Sequence, residues 1–273
     1  MTDTTQQLFA KEVAAGERFE FGRNWQGFLK HLDERRIQLA QESLRQMLGD
    51  IGLSGRTFLD AGCGSGLFSL AARRMGARVH SFDYDPQSVA CAQILKNRYF
   101  REDPLWTIEQ ASVLDTDHLA KLGHPDIVYS WGVLHHTGAM WSAIDNVARL
   151  VRPGGLLYIS IYNDQGWISN YWKFMKRSYN HGILKRCLVI ALHFPYLMVL
   201  VPLVQFTKGK LRLRRGMSRW HDVLDWLGGL PFEVARPAEI LEFLAARGLD
   251  GVKLKTCGRK HGCNEYVAQK RLT

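Results

Sequence analysis

A doubly wound α/β sheet interrupted by a helical insertion is the fold class that this 273-residue sequence predicts. Three observations predict it. Phe58-Leu-Asp-Ala-Gly-Cys-Gly-Ser-Gly66 is a short apolar run that ends in a glycine-rich turn. Strand-like and helix-like segments then alternate, the pattern of a sheet covered on both faces. Between residues 163 and 235 an apolar and basic stretch breaks the alternation, which resumes afterwards.

The elements follow in order. Arg56 to Asp60 reads as the first strand, Leu67 to Met75 as the helix after the turn, and Arg78 to Asp83 as the second strand. Gly62, Gly64 and Gly66 have no Cβ, so the backbone there can turn sharply and lie flat against a ligand. Asp83 closes the second strand, where a carboxylate can accept both hydroxyls of a ribose. An adenosine cofactor at the carboxyl edge of the sheet is the expectation. The loop alone also fits a nicotinamide enzyme or a plain tight turn, so the rest of the chain has to decide. Upstream, Gly27 to Leu48 carries apolar residues at helical spacing and ends at Gly49. Pro86 to Phe100 is a helix with proline near its first turn. Trp106 to Gln110 and Asp126 to Trp131 are the third and fourth strands, Met140 to Val151 a helix, and Leu156 to Ile161 the fifth strand. Pro237 to Arg247 is a helix, and Val252 to Thr256 and Asn264 to Gln269 are the closing strands. The divisions are 1–50 (lid and helix), 51–162 (cofactor-binding core), 163–235 (helical insertion) and 236–273 (completion of the core).

Composition adds less. The apolar and charged fractions are those of a soluble globular protein. Five irregularly spaced cysteines make no disulfide framework. Cys257 and Cys263 bracket His261, but no second pair completes a zinc site, and no metal is expected. Met1-Thr-Asp-Thr-Thr-Gln-Gln has neither the basic start nor the apolar centre of a signal peptide, so a cytoplasmic location is expected.

The net charge of +10 sits almost wholly in one place. No Asp or Glu occurs from 165 to 221, a window holding eleven Lys and Arg, and the remainder of the chain is close to neutral. The same window contains the apolar run from Cys187 to Phe206, close to the about 20 residues of a membrane-spanning helix. Spanning would put strands of one sheet on opposite sides of a bilayer, and Pro195 and Pro202 would break a straight helix. Two readings remain: a roof buried by the domain or by a second subunit in a homodimer, and an interfacial element on an anionic membrane surface. Nucleic acid is the weakest partner for these cations, because no aromatic–basic signature accompanies them.

The ordered series Leu59-Asp-Ala-Gly-Cys-Gly-Ser-Gly, Phe82-Asp-Tyr-Asp-Pro, Asp126-Ile-Val-Tyr-Ser and Leu150-Val-Arg-Pro-Gly-Gly resembles the class I S-adenosylmethionine-dependent methyltransferases. The resemblance covers roughly residues 55–162 and implies a Rossmann-like seven-stranded sheet whose last strand is antiparallel. It implies S-adenosylmethionine as cofactor and S-adenosylhomocysteine (SAH) as its product. By resemblance, Asp60, Gly62, Cys63, Gly64 and Gly66 border the methionine part, Asp83 takes the ribose, and Tyr84 packs on the adenine. Ser112 and Val113 meet the adenine edge, and Ser130 and Trp131 face the sulfonium.

Gly132-Val-Leu-His-His-Thr-Gly138 follows at the carboxyl edge, where open α/β sheets bind ligands. Of His135 and His136, His136 is expected to face the acceptor and the other to pack or cap. A histidine near its ordinary pKa of about 6.5 could take a proton from a hydroxyl. Met217-Ser-Arg-Trp-His-Asp222 and Pro231-Phe-Glu-Val-Ala-Arg-Pro-Ala-Glu239 are similar to segments of the ubiquinone-biosynthesis O-methyltransferases, which also carry an insertion after the fifth strand. In that family the insertion contacts membrane. The similarity makes His221 a second candidate base and Asp222 its orienter, unless Asp222 simply caps a helix at Val223. Trp25, Tyr162 and Trp220 are candidate acceptor contacts. In the Gly132–Gly138 segment, the family's glutamates around the histidine are replaced by Gly132 and His135, so a carboxylate-held metal is not carried over. Phe19-Glu-Phe-Gly-Arg-Asn-Trp25 is aromatic enough for a lid, with Arg23 able to meet the methionine carboxylate, or for packing on the helix behind it.

These features together predict a membrane-peripheral O-methyltransferase of an amphiphilic or lipid-linked small molecule. The alternatives are N- or S-methylation of a soluble metabolite by a dimer, and an inactive cofactor-binding partner protein.

Overall fold

A computed structural model describes residues 2–49, 51–201, 203, 223, 226–258 and 262–272 of the chain. Seven strands form one mixed sheet: β1 (Thr57–Ala61), β2 (Arg78–Asp83), β3 (Trp106–Gln110), β4 (Ile127–Trp131), β5 (Leu156–Tyr162), β6 (Leu249–Lys255) and β7 (Cys263–Lys270). Their order is β3-β2-β1-β4-β5-β7-β6. The first five pair in parallel, while β7 runs antiparallel to both β5 and β6. The strand order therefore reverses between β1 and β4. At such a switch point the loops leaving two neighbouring strands part and open a crevice.

Every residue from Leu156 to Ile161 in β5 is buried, which is why that strand reads as an unbroken apolar run. Helices cover both faces. On one side α3 (Glu34–Leu48), α4 (Leu67–Arg74) and α5 (Pro86–Tyr99) pack Ile37, Leu44, Leu70 and Leu95 against Phe58, Tyr129 and Tyr158. On the other, α7 (Met140–Leu150) and α10 (Pro237–Ala245) pack Ile144, Val147, Ile240 and Leu244 against Leu59, Val128 and Ile159. The short α6 (Thr116–Leu119) completes that layer through Leu119.

One expectation about the helices before β1 is corrected. Gly27 to Leu48 is not one helix: α2 (Phe21–Lys30) ends at His31, and Asp33 starts α3 by accepting the Arg36 amide at 2.9 Å. The apolar spacing runs on across the break because Phe28, Leu29, Ile37 and Leu44 all enter the same core layer. An unforeseen helix, α1 (Thr2–Ala14), precedes them.

The insertion begins with α8 (Trp167–Asn180) and α9 (Ile183–Phe194). Pro195 was expected to break α9, yet the helix continues to Leu200 through a π-helical turn, closed by the Val201 amide on the Tyr196 carbonyl. Proline has no N–H to contribute and crowds the carbonyl of the preceding turn. A wider i→i+5 turn accommodates both defects. Pro202 lies outside the described residues. The insertion leaves and rejoins the core at one point, where Asn163 bridges Ala235 and the Ala235 amide bonds the Tyr162 carbonyl at 3.1 Å. Trp172, Tyr179, Val189, Leu227, Leu230 and Phe232 form a small core of its own there.

The outer face of the insertion is apolar. Trp167 and Phe174 on α8 and Ile183, Leu184, Leu188 and Leu192 on α9 are all more than 60 % exposed. Ile183–Leu200 is long and apolar enough to cross a membrane, by length and composition, with a mean hydropathy of 1.7 and only 11 % of it buried.

Candidate active site

The glycine turn and the end of β2 are joined directly. The Gly62 and Cys63 amides donate to the Phe82 carbonyl at 2.8 and 3.0 Å. One oxygen of Asp83 accepts the Gly64 amide at 2.8 Å and the other accepts the Asp85 amide at 2.9 Å. A carboxylate offers about four acceptor sites, so Asp83 keeps capacity for a diol beside the turn. Gly62 has φ +85°, and a Cβ there would lie 2.4 Å from a Val133 methyl, so the loop leaving β4 rests on the turn itself. Burial pushes the Asp83 carboxyl up to about 7, against the pull of its two backbone donors.

Asp60 serves a different purpose from the one expected. It is buried at the end of β1 and accepts the Ser69 hydroxyl. Ser69 in turn accepts from Ser81 at 2.8 Å, and Ser81 from the Trp106 indole at 2.9 Å. This chain ties β1, β2, β3 and α4 together beneath the turn. Burial pushes the Asp60 carboxyl up to about 7. A pKa raised in the folded state above its unfolded value gives stability present in acid and lost as pH rises through about 7. Asp60→Asn keeps an acceptor for Ser69 and removes the charge. It is expected to raise the melting temperature of the ligand-free protein by several degrees near pH 8.5 and to leave it unchanged only near pH 3, below the ordinary carboxylate pKa of about 3.9, which thermal melts at the two pH values check.

The other expected cofactor residues divide similarly. Cys63 is buried and its thiol is pushed well up by burial, so it is inert packing in the turn. Gly66 begins α4, where a Cβ would meet Ala92 at 2.8 Å. Ser130 donates to the Ala61 carbonyl at 2.7 Å, which locks β4 to β1. Ser112 accepts the Leu114 amide at 3.1 Å in the loop after β3, and Val113 packs inward while its carbonyl holds Asn146 at 2.9 Å. Trp131, partly buried at the end of β4, packs against the core layer of Phe58 and Tyr129.

The N-terminal segment covers this crevice. Tyr84 is packed by the Phe9 ring at 5.5 Å and the Arg18 guanidinium at 4.7 Å. The Gly22 amide donates to Asp85 at 2.8 Å. Trp25, expected near the acceptor, lies over the turn instead: its indole would be 3.1 Å from a Cβ on Gly64. Arg23 points outward to Glu20, and the inward arginine is Arg18, whose guanidinium bonds the His136 carbonyl at 3.1 Å.

Beyond the turn lies an aromatic and cationic cluster. His135 and His136 occupy a 3₁₀ turn, Leu134–His136, directly after Val133. His136 Nδ1 is 2.6 Å from the Pro231 carbonyl, so Nδ1 carries the proton and Nε2 keeps its lone pair. His135 is fully buried, its ring 4.0 Å from that of Tyr162. Neither of its nitrogens has a well-formed hydrogen-bond partner among the described residues. Tyr162 also packs on His136 at 5.5 Å, Phe232 at 5.2 Å and Trp226 at 5.6 Å. The expectation of an imidazole near its ordinary pKa is corrected. Burial, then the nearby Lys176 charge, pushes His136 down to about 3, and burial and the neighbouring His136 hold His135 well below its usual value.

A model of the methyltransferase domain family matches residues 31–196, more than half of the chain. The chain belongs to the methyltransferase domain family. It is 33 % identical over 118 residues to the ubiquinone biosynthesis O-methyltransferase of Escherichia coli O7:K1, a match spanning 42 % of this chain and 46 % of that protein. The enzyme of the same description from Xylella fastidiosa strain M23 is 32 % identical over 114 residues, 41 % of this chain and 44 % of the relative. The match thus spans under half the length of these curated relatives. The magnesium protoporphyrin IX methyltransferase of Synechocystis PCC 6803 with bound SAH shares the fold. It has a TM-score of 0.53 at 17 % identity and covers 86 % of this chain and 83 % of that one. The resemblance to class I methyltransferases and the seven-stranded sheet are both borne out.

Within this methyltransferase-family chain, the Pro-x-Glu segment has a structural task. Pro237 opens α10, and Glu239 reaches back to the Arg236 amide at 2.7 Å. Just before it, the Glu233 amide bonds the His135 carbonyl at 3.0 Å and its carboxylate takes the Met140 amide at 3.0 Å, so this strip grips both ends of the histidine loop. His221, Asp222 and Trp220 lie outside the described residues, as does His261. Arg18, Lys176, Trp226, Phe232 and Glu233 were not foreseen. Lys176 carried one usable signal: it stands among buried positions of α8 (Trp172, Lys176, Tyr179) at helical spacing.

Proposed function

We propose that this chain is an S-adenosylmethionine-dependent O-methyltransferase. Its acceptor would be an amphiphilic small molecule or lipid-linked intermediate, met at an anionic membrane surface on the cytoplasmic side. The observation that carries the methyl-transfer reading is the Asp83 carboxylate bonded to the Gly64 amide, with the Val133–His136 loop resting on Gly62. When bound, S-adenosylmethionine supplies a methyl group on a sulfonium cation. Asp83 would hold the ribose hydroxyls and the glycines would line the cofactor at backbone distance, while Tyr84 and the N-terminal segment would close over it. His136, with Nδ1–H on the Pro231 carbonyl, offers Nε2 as a hydrogen-bond acceptor for an acceptor hydroxyl. The rings of Tyr162, Trp226 and Phe232 exclude water, so rate enhancement would come mainly from alignment in a dry site.

The membrane part is supported by the outer face of α8 and α9. Its exposed apolar side chains are flanked by exposed Lys173, Arg177, Lys185 and Arg186, and the segment has no acid. The inner face of α8 meanwhile supplies Trp172 to the cluster around Trp226. One helix thus faces outward with apolar groups and inward toward the acceptor.

Calorimetry with SAH tests the cofactor; absence of binding overturns the reading. With methyl-labelled S-adenosylmethionine and a cell extract, label is expected in the organic phase, and label confined to the aqueous phase would favour a soluble acceptor. The protein is expected to co-sediment with vesicles containing phosphatidylglycerol, less so at high salt. The triple change Leu184→Ser, Leu188→Ser, Leu192→Ser should abolish this. Equal sedimentation of both proteins, or a salt-insensitive dimer that ignores vesicles, would remove the membrane assignment.

A further inference from the structure

Cys257 and Cys263, which bracket His261 in the sequence, are brought opposite each other by the last two strands. β6 and β7 pair antiparallel, with Lys253 opposite Val267, Leu254 opposite Tyr266 and Lys255 opposite Glu265. Continued two residues further, the same register sets Cys257 opposite Cys263. Directly opposed residues of an antiparallel pair share a face, with Cα atoms about 4.5–5.5 Å apart. Contacts at the hairpin tip agree. The Cys257 sulfur lies 3.6 Å from the Gly262 carbonyl oxygen, in the peptide group that leads into Cys263. A Cβ on Gly262 would meet the Cys257 Cβ at 3.4 Å. The Asn264 side chain accepts the Cys257 amide at 3.0 Å and clips the start of the loop to β7. Both sulfurs also act on one buried hydroxyl: burial raises Tyr266 to about 12, and the two cysteines add to that rise.

A disulfide accepts Cα separations of about 4.4–6.8 Å, which a cross-strand pair provides. Both residues are thiols of intermediate exposure, within reach of a small reagent, whereas Cys63 and Cys91 are buried and Cys187 lies exposed on α9. Burial raises the Cys257 thiol above its ordinary range, so exchange is expected to quicken as pH rises. The hairpin tip is tied to the insertion. Cys263 pairs with Tyr162 of the aromatic cluster in the β5–β7 ladder. The next residue, Asn163, donates its backbone amide to the Gly262 carbonyl at 3.0 Å and its side-chain amide to the Gly258 carbonyl at 3.2 Å. Asn264 donates to the Asn163 side-chain oxygen at 3.0 Å. Asn163 also bridges Ala235, where the insertion leaves and rejoins the core. Gly258 and Gly262 are the immediate neighbours of the two cysteines. Drawing the sulfurs into a bond therefore moves the carbonyls that hold Asn163.

We propose that Cys257 and Cys263 form a reversible redox site, a dithiol that a low-molecular-weight disulfide oxidises to an intramolecular disulfide, and that the change reaches the base of the insertion through Asn163. One cysteine thiolate attacks the small disulfide, which gives a mixed disulfide and releases one small thiol. The other cysteine then attacks the protein sulfur of that mixed disulfide and releases the second. The two cysteine sulfurs are oxidised, the reagent is reduced to two thiols, and the two cysteine protons pass to them. The pair lies beyond β5 from the crevice beside Asp83, so it stands whether or not SAH binds there.

The test equilibrates the full chain with mixtures of oxidised and reduced glutathione, blocks the remaining thiols and digests with trypsin. Lys255, Arg259 and Lys260 are cleavage points, so the peptides 256–259 and 261–270 separate unless a disulfide joins them. The expected product is the joined pair, reversed by excess reduced glutathione. The folded chain should form it at a ratio of oxidised to reduced glutathione roughly tenfold or more below that needed by the same chain unfolded in urea. Cys257→Ser and Cys263→Ser should each carry glutathione on the remaining cysteine instead. In the wild-type chain, oxidation should also shift the NMR signals of the Asn163 side-chain amide and the Tyr162 ring. Separate glutathione on each cysteine of the wild-type chain, or no advantage of the folded over the unfolded chain, overturns the site. The joined pair with unmoved Asn163 and Tyr162 signals overturns its link to the insertion.

Discussion

Asp83→Ala is expected to weaken SAH binding about a hundredfold while leaving the fold intact. Asp83 lies at the end of β2 with each oxygen already held by one backbone amide, and its remaining acceptor sites face the crevice above the glycine turn. Hydrogen bonds to a charged group contribute roughly 1.5–3 kcal/mol each. Two ribose hydroxyls could therefore contribute more than about 3 kcal/mol, and relief of the buried charge offsets part of that loss. About 3 kcal/mol corresponds to roughly a hundredfold in affinity. The pH dependence gives a second signature. Burial raises the Asp83 carboxyl to about 7 in the ligand-free protein, and only the carboxylate can accept both hydroxyls. Cofactor affinity is therefore expected to rise as pH is raised through about 7, with a proton released on binding. Calorimetry across this range should show that slope in the wild-type protein and its loss in Asp83→Ala. A variant that bound SAH normally would remove Asp83 from the ribose site, and a wild-type affinity flat in pH would mean that burial does not raise its pKa to about 7.

The second large effect is expected at Gly62. Its φ of +85° is one that L side chains rarely adopt, and a Cβ would fall 2.4 Å from Val133. Gly62→Ala combines backbone strain of about 1–2 kcal/mol with overpacking of about 1–3 kcal/mol. A total near 3 kcal/mol is expected in denaturant unfolding. The double variant Gly62→Ala with Val133→Ala should recover the packing share and keep the backbone share, since only the first depends on the Val133 methyls. Because Val133 precedes His135 and His136, the single variant should also shift the histidine ring signals in NMR. Full stability of Gly62→Ala would mean that the β4 loop does not rest on the turn.

The core of the fold was legible because its signals are local. Short apolar runs, a glycine turn, the helix start at Pro86 and the acid at Asp83 each act within a few residues of themselves, and their order resembles that of a known family. What escaped the sequence depends on contacts between distant segments. Apolar spacing could not reveal the break at Asp33, because both flanking helices feed the same core layer. Pro195 reads as a helix breaker, yet a local change of hydrogen-bond register absorbs it. Asp60 sits in the family motif, but whether its carboxylate faces a ligand or Ser69 is decided by side-chain direction. Side-chain direction also decides the arginines: Arg23, offered for the methionine carboxylate, turns outward to Glu20, while Arg18, which was not foreseen, turns inward to the His136 carbonyl. The histidine pair lies in the 3₁₀ turn after β4. Its electrostatics were not foreseeable, because the burial and the neighbouring charges come from α8, some forty residues later in the chain, and from the N-terminal segment.

Co-crystallisation of the full chain with SAH would put the adenosine reading to its most direct trial. The expected difference density is an adenosine whose two ribose hydroxyls lie within hydrogen-bond distance of the Asp83 carboxylate, beside the Gly62–Gly64 backbone, with the sulfur on the side of the Val133–His136 loop. A nucleoside bound elsewhere, or an Asp83 carboxylate still engaged by the Gly64 and Asp85 amides alone with SAH present, would contradict it.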